Sequence, residues 1–331
     1  MVDETADAKS FVLGIPDELR AAFLYEAGQF CTFRVTVDGQ QHLRSYSMSS
    51  SPDVDDEFQV TVKRVPGGVV SNFMVDTLVV GSLVDTTCPA GVFCLSRAVG
   101  RGDVVAFCGG SGVTPIASIA KTALATTDRT VRILYANRDA DSVIFDDALA
   151  KLAVAYSDRV HLVTRLDVED GFVDAAAATQ VADDSTDADY FICGPGPFMD
   201  IVETALLDSG APAERIHIER FTPAAPASGE ADGADTADGG AGQVTITLAG
   251  RTETTEHHPG ATILQTARQI GMAPPYSCES GSCATCMARL TDGTVAMHVN
   301  DALTDDEVAD GLILTCQSVP TSPAVSVVYE F

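Results

Sequence analysis

Hydrophobic and polar positions change their rhythm twice along the 331 residues. From Phe11 to Leu95 there are short β-rich runs, among them Phe30–Val37, Phe58–Val65 and Leu83–Thr87. Turns of Gly, Pro and Asp separate them, a spacing that predicts an antiparallel β-barrel or sandwich over residues 1–99. From about Gly100 strand-like and helix-like segments alternate. The pattern predicts strands at Asp103–Cys108, Thr130–Tyr135, Val160–Thr164 and Tyr190–Cys193, and helices at Pro115–Ala125, Phe145–Tyr156 and Pro197–Asp208. Such alternation implies an α/β doubly wound domain over 100–222, with ligands at the carboxyl ends of the strands. Residues 223–242 hold Pro, Ala, Gly, Asp, Thr and Ser with almost no large apolar side chain, which predicts a flexible linker. A small domain, 243–331, follows. It opens with an alternating strand, Gln243–Ala249, and a helix-like segment, Ala261–Ile270, closed by Gly271.

Length agrees with this division, since roughly 150 residues per domain makes a single domain a poor fit. With 46% hydrophobic and 20% charged residues the chain is not disordered as a whole. A net charge of −27 argues against nucleic acid or an anionic membrane as the main partner and favours a basic protein. Only four of the twenty cations are lysines, which suits either a GC-rich genome or a salty cytoplasm. No run reaches eighteen apolar residues and the start, Met1 to Lys9, is acidic and polar, so a cytoplasmic protein without membrane insertion is expected. Nine cysteines are scattered except for Cys278, Cys283, Cys286 and Cys316; an odd count with one tight group favours metal over bridges.

That group reads C-x4-C-x2-C with a distant fourth cysteine, and small residues, Ser280, Gly281, Ser282 and Ala284, let its loop wrap closely. Four thiolates suit a [2Fe–2S] cluster, in which each iron takes two protein sulfurs; a structural Zn(Cys)4 site is the alternative. Two glycine turns stand in the middle of the chain. Gly109-Gly110-Ser111-Gly112-Val113-Thr114-Pro115 links a strand to a helix, where glycines admit a diphosphate and the helix start stabilises its charge. Its companion is Cys193-Gly194-Pro195-Gly196-Pro197, in which Cys193 can equally be a small buried hydrophobe. Asn137, Arg138 and Asp139 end the second strand of that domain; an acid there suits a free ribose and an Arg suits a 2′-phosphate, leaving NADH and NADPH both open. In the first domain Arg44-Ser45-Tyr46-Ser47 is followed by Lys63-Arg64-Val65-Pro66-Gly67-Gly68-Val69-Val70-Ser71, a strand end, a glycine turn and a helix start.

The R-x-Y-S run resembles the flavin motif of the ferredoxin reductase superfamily, and the cysteine spacing resembles that of plant-type ferredoxins. In order of domains the chain is similar to the FAD/[2Fe–2S] reductase components of multicomponent oxygenases. Within them, Tyr-Ala-Asn-Arg at 135–138 and Gly-Leu-Ile-Leu-Thr-Cys-Gln-Ser at 311–318 look closest to 3-ketosteroid 9α-hydroxylase reductases, with phenylacetyl-CoA epoxidase reductases second. The resemblance implies a β-grasp fold for 243–331 and four cluster ligands, Cys278, Cys283, Cys286 and Cys316. It implies that Arg44 pairs with a phosphate of FAD, Tyr46 packs on the isoalloxazine and Ser47 bonds near flavin N5. Lys63, Gly68, Val70 and Ser71 are then expected at the FAD diphosphate. Gly110, Gly112, Thr114, Pro115, Asn137, Arg138, Cys193, Gly194 and Pro195 are expected at the nicotinamide nucleotide, with Ser47 and Cys193 at the point of hydride transfer. Phe221 is expected over the flavin, or in the core; Met287, Met297 and His298 flank the cluster or merely pack. The implied activity carries a hydride from NADH or NADPH to FAD, then single electrons through the cluster to a terminal oxygenase. A stand-alone flavin reductase and a non-enzymatic metal scaffold are the readings from other classes.

Overall fold

The computed structural model describes residues 1–97, 102–182, 187–221, 242–248, 250–272, 274–276, 281, 285–300, 303 and 305–329. Two compact units divide the chain, Met1–Phe221 and Thr222–Phe331.

The first unit begins with a β-rich domain: β1 (Val2–Thr5), β2 (Ala8–Leu13), β3 (Phe30–Val37), β4 (Gln40–Ser47), β5 (Phe58–Lys63), α1 (Val69–Thr77) and β6 (Asp85–Thr86). The barrel is made of two antiparallel three-stranded sheets, β1-β2-β5 and β4-β3-β6. They join where the chain leaves β4: Met48 bridges Val60 and Ser49 N–H donates to Gln59 O at 2.8 Å. Phe11, Phe33, Met48, Val60 and Val62 fill the space between the sheets, closed by Val70 and Met74 of α1. The acidic start, expected only as a polar lead-in, is a hairpin. Alternation explains it, because Ala8 and Ser10 face inward while Lys9 reaches Asp3. The run at Leu83–Thr87 shrinks to the two residues of β6, with Leu83 projecting into solvent.

The second domain of this unit contains β7 (Val104–Gly109), α2 (Val113–Thr126), β8 (Val131–Asn137), α3 (Asp146–Ala155), β9 (Val160–Leu166), α4 (Asp167–Asp170), α5 (Ala175–Ala182), β10 (Asp189–Cys193), α6 (Gly196–Asp208) and β11 (Ile216–Glu219). Its five strands are all parallel, in the order β11-β10-β7-β8-β9. Strand β7 is therefore the switch point: the chain runs outward to β8 and β9, then crosses back to β10 on the other side. α2 and α3 cover one face and α5 and α6 the other, each over its own apolar cluster. Helix α3 starts one residue later than its pattern predicts, because Phe145 is left-handed at φ 61° and cannot continue a helix. At the amino edge of the sheet Arg129 clamps Asp189 at 2.5 Å and also donates to the carbonyls of Gly102 and Asp103.

The second unit holds β12 (Gln243–Leu248), β13 (Arg251–Glu256), α7 (Ile263–Gln269), β14 (Met287–Asp292), β15 (Val295–Met297), α8 (Asp305–Ala309), β16 (Leu312–Leu314), β17 (Ser318–Pro320) and β18 (Ala324–Tyr329). Its main sheet runs β13-β12-β18-β14-β16, with β12 and β18 parallel and the other pairs antiparallel. Ile263 and Ala267 of α7 pack on Val244, Ile246, Val325 and Val327, giving the β-grasp arrangement. The helix begins at Ile263 rather than Ala261 because Thr262 caps it. Thr262 Oγ1 accepts from Gln265 N–H, and Gln265 Oε1 accepts from Thr262 N–H. Of the expected linker, 223–241 lies outside the described residues, and Gly242 stands next to β12, its carbonyl accepting from His257 N–H. No described helix is long and apolar enough to cross a membrane.

Candidate active site

The two glycine turns meet at the switch point. β7 and β10 are neighbours in register, Cys108 beside Cys193, so their turns emerge side by side. A Cβ on Gly112 would lie 2.0 Å from Cys193 O, one on Gly109 2.7 Å from Pro195 Cδ, and one on Gly194 2.9 Å from Gly109 N. Only glycine permits this approach. Gly110 is left-handed at φ 53°, and its carbonyl accepts from Tyr135 Oη at 3.2 Å. Thr114 donates Oγ1–H to Ser111 O, and Pro115 sits in the first turn of α2, where its missing N–H costs nothing. The amide end of α2 thus stands at the carboxyl ends of β7 and β10, the place of the crevice in which an α/β sheet binds ligands.

The β-rich domain supplies the opposite wall. Ser47, buried at the end of β4, donates Oγ–H to Glu219 Oε2 at 3.2 Å, a contact spanning 172 positions of sequence. Glu219 ends β11 and pairs in register with Cys193. Burial first, then the negative charge of Glu219, pushes the Cys193 thiol well above its usual range, so it is a small neutral group at pH 7. Ser47, Cys193 and Glu219 therefore stand together at one end of the crevice. Glu219 was missed in the sequence, where its segment drew notice only for Phe221. The available signal was an acid at the carboxyl end of the strand after Cys193. Phe221 itself is 41% exposed, so it is no core residue.

Tyr46, one position before Ser47, pairs with Cys31 across β3 and packs edge-on against Phe33, ring centres 5.7 Å apart. Burial raises its phenol pKa and keeps it neutral. Arg44 is on the same strand with an exposed side chain, and side chains at 44 and 46 share a face by the period of two. Gly68 caps α1; a Cβ there would lie 2.8 Å from Ser71 Oγ. Ser71 Oγ accepts from Val65 N–H at 3.0 Å and Asn72 donates to Gly68 O, which fixes the turn so that its amides open at the helix start beside Val70. Lys63 reaches further than expected: its Nζ comes within 3.5 Å of where a Cβ on Gly110 would be and 4.0 Å from Asp7, between the flavin-type strand and the nucleotide-type turn.

At the end of β8, Asn137 is 4% exposed and, among the described residues, neither atom of its amide makes a hydrogen bond of good geometry, the Tyr135 hydroxyl being its polar neighbour. A buried amide left unpaired costs about 1–3 kcal/mol, so this one fits a polar ligand. Arg138 points outward and donates Nε–H to Asp139 at 2.7 Å, each holding the other charged.

In the second unit Cys286 and Cys316 are buried, 2% and 6% exposed, and Cys316 N–H points at Cys286 Sγ at 3.5 Å. Thr315 Oγ1 donates to Cys286 O, and Tyr329 Oη donates to Thr315 in turn. Thr285 Oγ1, also buried, has no partner among the described residues. Two buried thiols with a backbone amide aimed at one sulfur suit a bound iron–sulfur cluster, whose sulfurs accept such bonds. Cys278 and Cys283 lie outside the described residues. Met297 Sδ accepts from Leu314 N–H and His298 N–H donates to Gln317 O, so both tie β15 to the chain around β16 and β17; Met287 of β14 pairs with Leu314 of β16.

Three family models match the chain in this order: an oxidoreductase FAD-binding domain over 2–94, an oxidoreductase NAD-binding domain over 107–204, and a 2Fe–2S iron–sulfur cluster binding domain over 246–321. The ferredoxin reductase component of 3-ketosteroid-9-alpha-monooxygenase from Mycolicibacterium smegmatis is 38% identical over 340 residues, covering 100% of this chain and 95% of that one. A component of 1,2-phenylacetyl-CoA epoxidase from Escherichia coli K12 is 31% identical, covering 99% of this chain and 95% of that one. Among solved structures, phthalate dioxygenase reductase superposes with a TM-score of 0.61 at 25% identity, covering 99% of this chain and 95% of that one.

Proposed function

The chain belongs to the family of FAD- and [2Fe–2S]-containing reductase components of multicomponent oxygenases, and from that premise we propose that it serves a separate terminal oxygenase of the 3-ketosteroid 9α-hydroxylase type. It is an NAD(P)H-dependent oxidoreductase. FAD accepts the two electrons of a hydride and the [2Fe–2S] cluster passes electrons singly, which matches a donor of pairs to an iron centre that takes them one at a time.

The observation that carries the site assignment is the meeting of Ser47, Glu219 and Cys193 at the crevice. Ser47 brings a hydroxyl donor from the flavin-type strand. Cys193 brings an uncharged thiol from the nicotinamide-type turn, and Glu219 ties the two walls together. Arg44 supplies a planar fork for phosphate and Tyr46 an aromatic face. Gly68, Val70 and Ser71 offer the start of α1 to a diphosphate, with Lys63 as the nearby cation. Gly110, Gly112, Thr114 and Pro115 shape the nucleotide crevice. Gly194 and Pro195 form its second rim, Asn137 offers an unspent amide and Arg138 stands at its mouth. Phe221, 41% exposed just beyond Glu219, is the aromatic assigned to cover the flavin ring in this reading. Cys278, Cys283, Cys286 and Cys316 hold the cluster. The division at 99/100 and 222/223, with 223–242 as a tether, is part of this reading; the break between the two units at 221/222 supports its second boundary. So is a cytoplasmic setting, where thiols such as Cys31, Cys88 and Cys108 stay unbridged.

The test is a visible spectrum of anaerobically purified protein before and after NADH, with NADPH in parallel, followed by turnover of a 3-ketosteroid with the purified oxygenase. Flavin and iron–sulfur bands that both bleach, with hydroxylation in the second assay, are expected. Bleaching without hydroxylation would move the partner to the phenylacetyl-CoA epoxidase type or to a stand-alone reductase.

A further inference from the structure

On the face of the five-stranded sheet turned away from α2 and α3, side chains alternate along β8 and β9. Arg132 lies beside His161, Leu134 beside Val163, and Ala136 beside Arg165. Strand β9 is the sheet's edge, and α5 packs over β7 and β8 without extending across it. A groove of about 390 Å³ remains between β9 and α5. Its floor is apolar, from Leu134, Val163 and Val181, with Val163 42% exposed; its rim carries Arg132, His161, Arg165 and Gln180. It is separate from the nucleotide crevice, which opens between β7 and β10.

We propose that this groove binds a small amphipathic organic monoanion, a carboxylate or phosphate monoester on an apolar body. Cations are scarce in a chain of charge −27, yet two arginines and a histidine share this one ladder. Arg132 is balanced by an ion pair, its Nε 2.7 Å from Asp103 Oδ2 although without hydrogen-bond geometry. Arg165 is not. Its Nη2 donates to the carbonyl of Asp170 at 2.8 Å, while its buried Nε has no hydrogen-bond partner among the described residues. The Asp170 carboxylate accepts from Leu166 N–H at 2.9 Å, and no described carboxylate forms an ion pair with Arg165. One unbalanced guanidinium with a buried N–H calls for one acceptor of negative charge, because an unpaired buried donor is costly and a charge-assisted bond is strong. The apolar floor beside it calls for a hydrocarbon body, and the volume falls in the lower range of small-molecule sites.

The test is calorimetric titration of the FAD- and cluster-loaded protein, with NAD+ saturating the nucleotide crevice, using octanoate, octyl phosphate and 1-octanol as probes. At least one anion is expected to bind once per chain, with octanol weaker by about tenfold or more. Octanoate alone would identify a carboxylate site, octyl phosphate alone a phosphate ester site. Arg165→Gln is expected to weaken the anion about tenfold and Val163→Glu to abolish binding, while NADH-dependent ferricyanide reduction by both variants stays within about twofold of the parent. Absence of saturable binding below about 5 mM, equal binding of octanol, or indifference to both substitutions would overturn the proposal.

Discussion

The crevice of the first unit and the cysteine end of the second are built on opposite principles. At the crevice the decisive property is what the residues lack: Gly109, Gly112 and Gly194 carry no Cβ, and two backbones approach to a distance no other residue allows. At the cysteine end the decisive property is what the residues carry, sulfur, held under donors such as Cys316 N–H. One site is destroyed by adding a methyl group, the other by exchanging a single atom. Shape can be lost while every reactive group remains, and chemistry can be lost without disturbing shape.

The sharpest way to separate the two is Cys316→Ser. Loss of the iron–sulfur absorbance and a fall of electron delivery to the oxygenase by on the order of 100-fold or more are expected, with NADH still bleaching the flavin. If the flavin also ceased to respond, the two sites would not be independent.

Next in size is Gly112→Ala, whose methyl meets Cys193 O at 2.0 Å. Overpacking of this kind costs about 1–3 kcal/mol, measurable by thermal unfolding, and reduction by NADH should be largely lost in stopped flow. Gly196→Ala is the control, since a Cβ there meets nothing within 4 Å. It should leave the crevice intact.

Glu219→Gln keeps the shape and removes the charge. Flavin reduction at saturating NADH should slow by roughly 10–100-fold with little change in KM, the sign of a group that acts after binding. An equal rise in KM would make it a binding residue instead.

Smaller still is Asp139→Asn. It frees the Arg138 guanidinium now held by the carboxylate, and the ratio of kcat/KM for NADPH to that for NADH should rise by about tenfold.

The smallest effect concerns His217, stacked on Phe191 behind Cys193, ring centres 4.8 Å apart. Burial lowers its pKa below 6.5 in the folded state. The neutral ring is therefore tolerated above that value, and stability is lost as pH falls toward the folded pKa because the unfolded chain takes up the proton more readily. His217→Gln should flatten the decline of the unfolding midpoint below about pH 6.5.

Both sites were legible in the sequence to the extent that their chemistry is local. The spacing of the clustered cysteines and the two glycine turns depend on residues within a few positions of one another, as do the strand β3 and the helix α6. Boundaries failed where a single residue decided them, as with the left-handed Phe145 or the capping Thr262. The hairpin β1–β2 stayed hidden because its charged composition masked an alternation that only the sheet beside it reveals.

By itself the sequence determined which cofactors the chain can hold and in what order its domains follow, since ligand atoms, glycine turns and hydrophobic periods are properties of short segments. Only the tertiary structure decided that Glu219 meets Ser47 across 172 positions, that Asn137 is buried with its amide unspent, and that Arg165 faces an open groove at the edge of a sheet. Those facts depend on which strand lies beside which, and strand order is set by the packing of the whole domain. No window of sequence contains it.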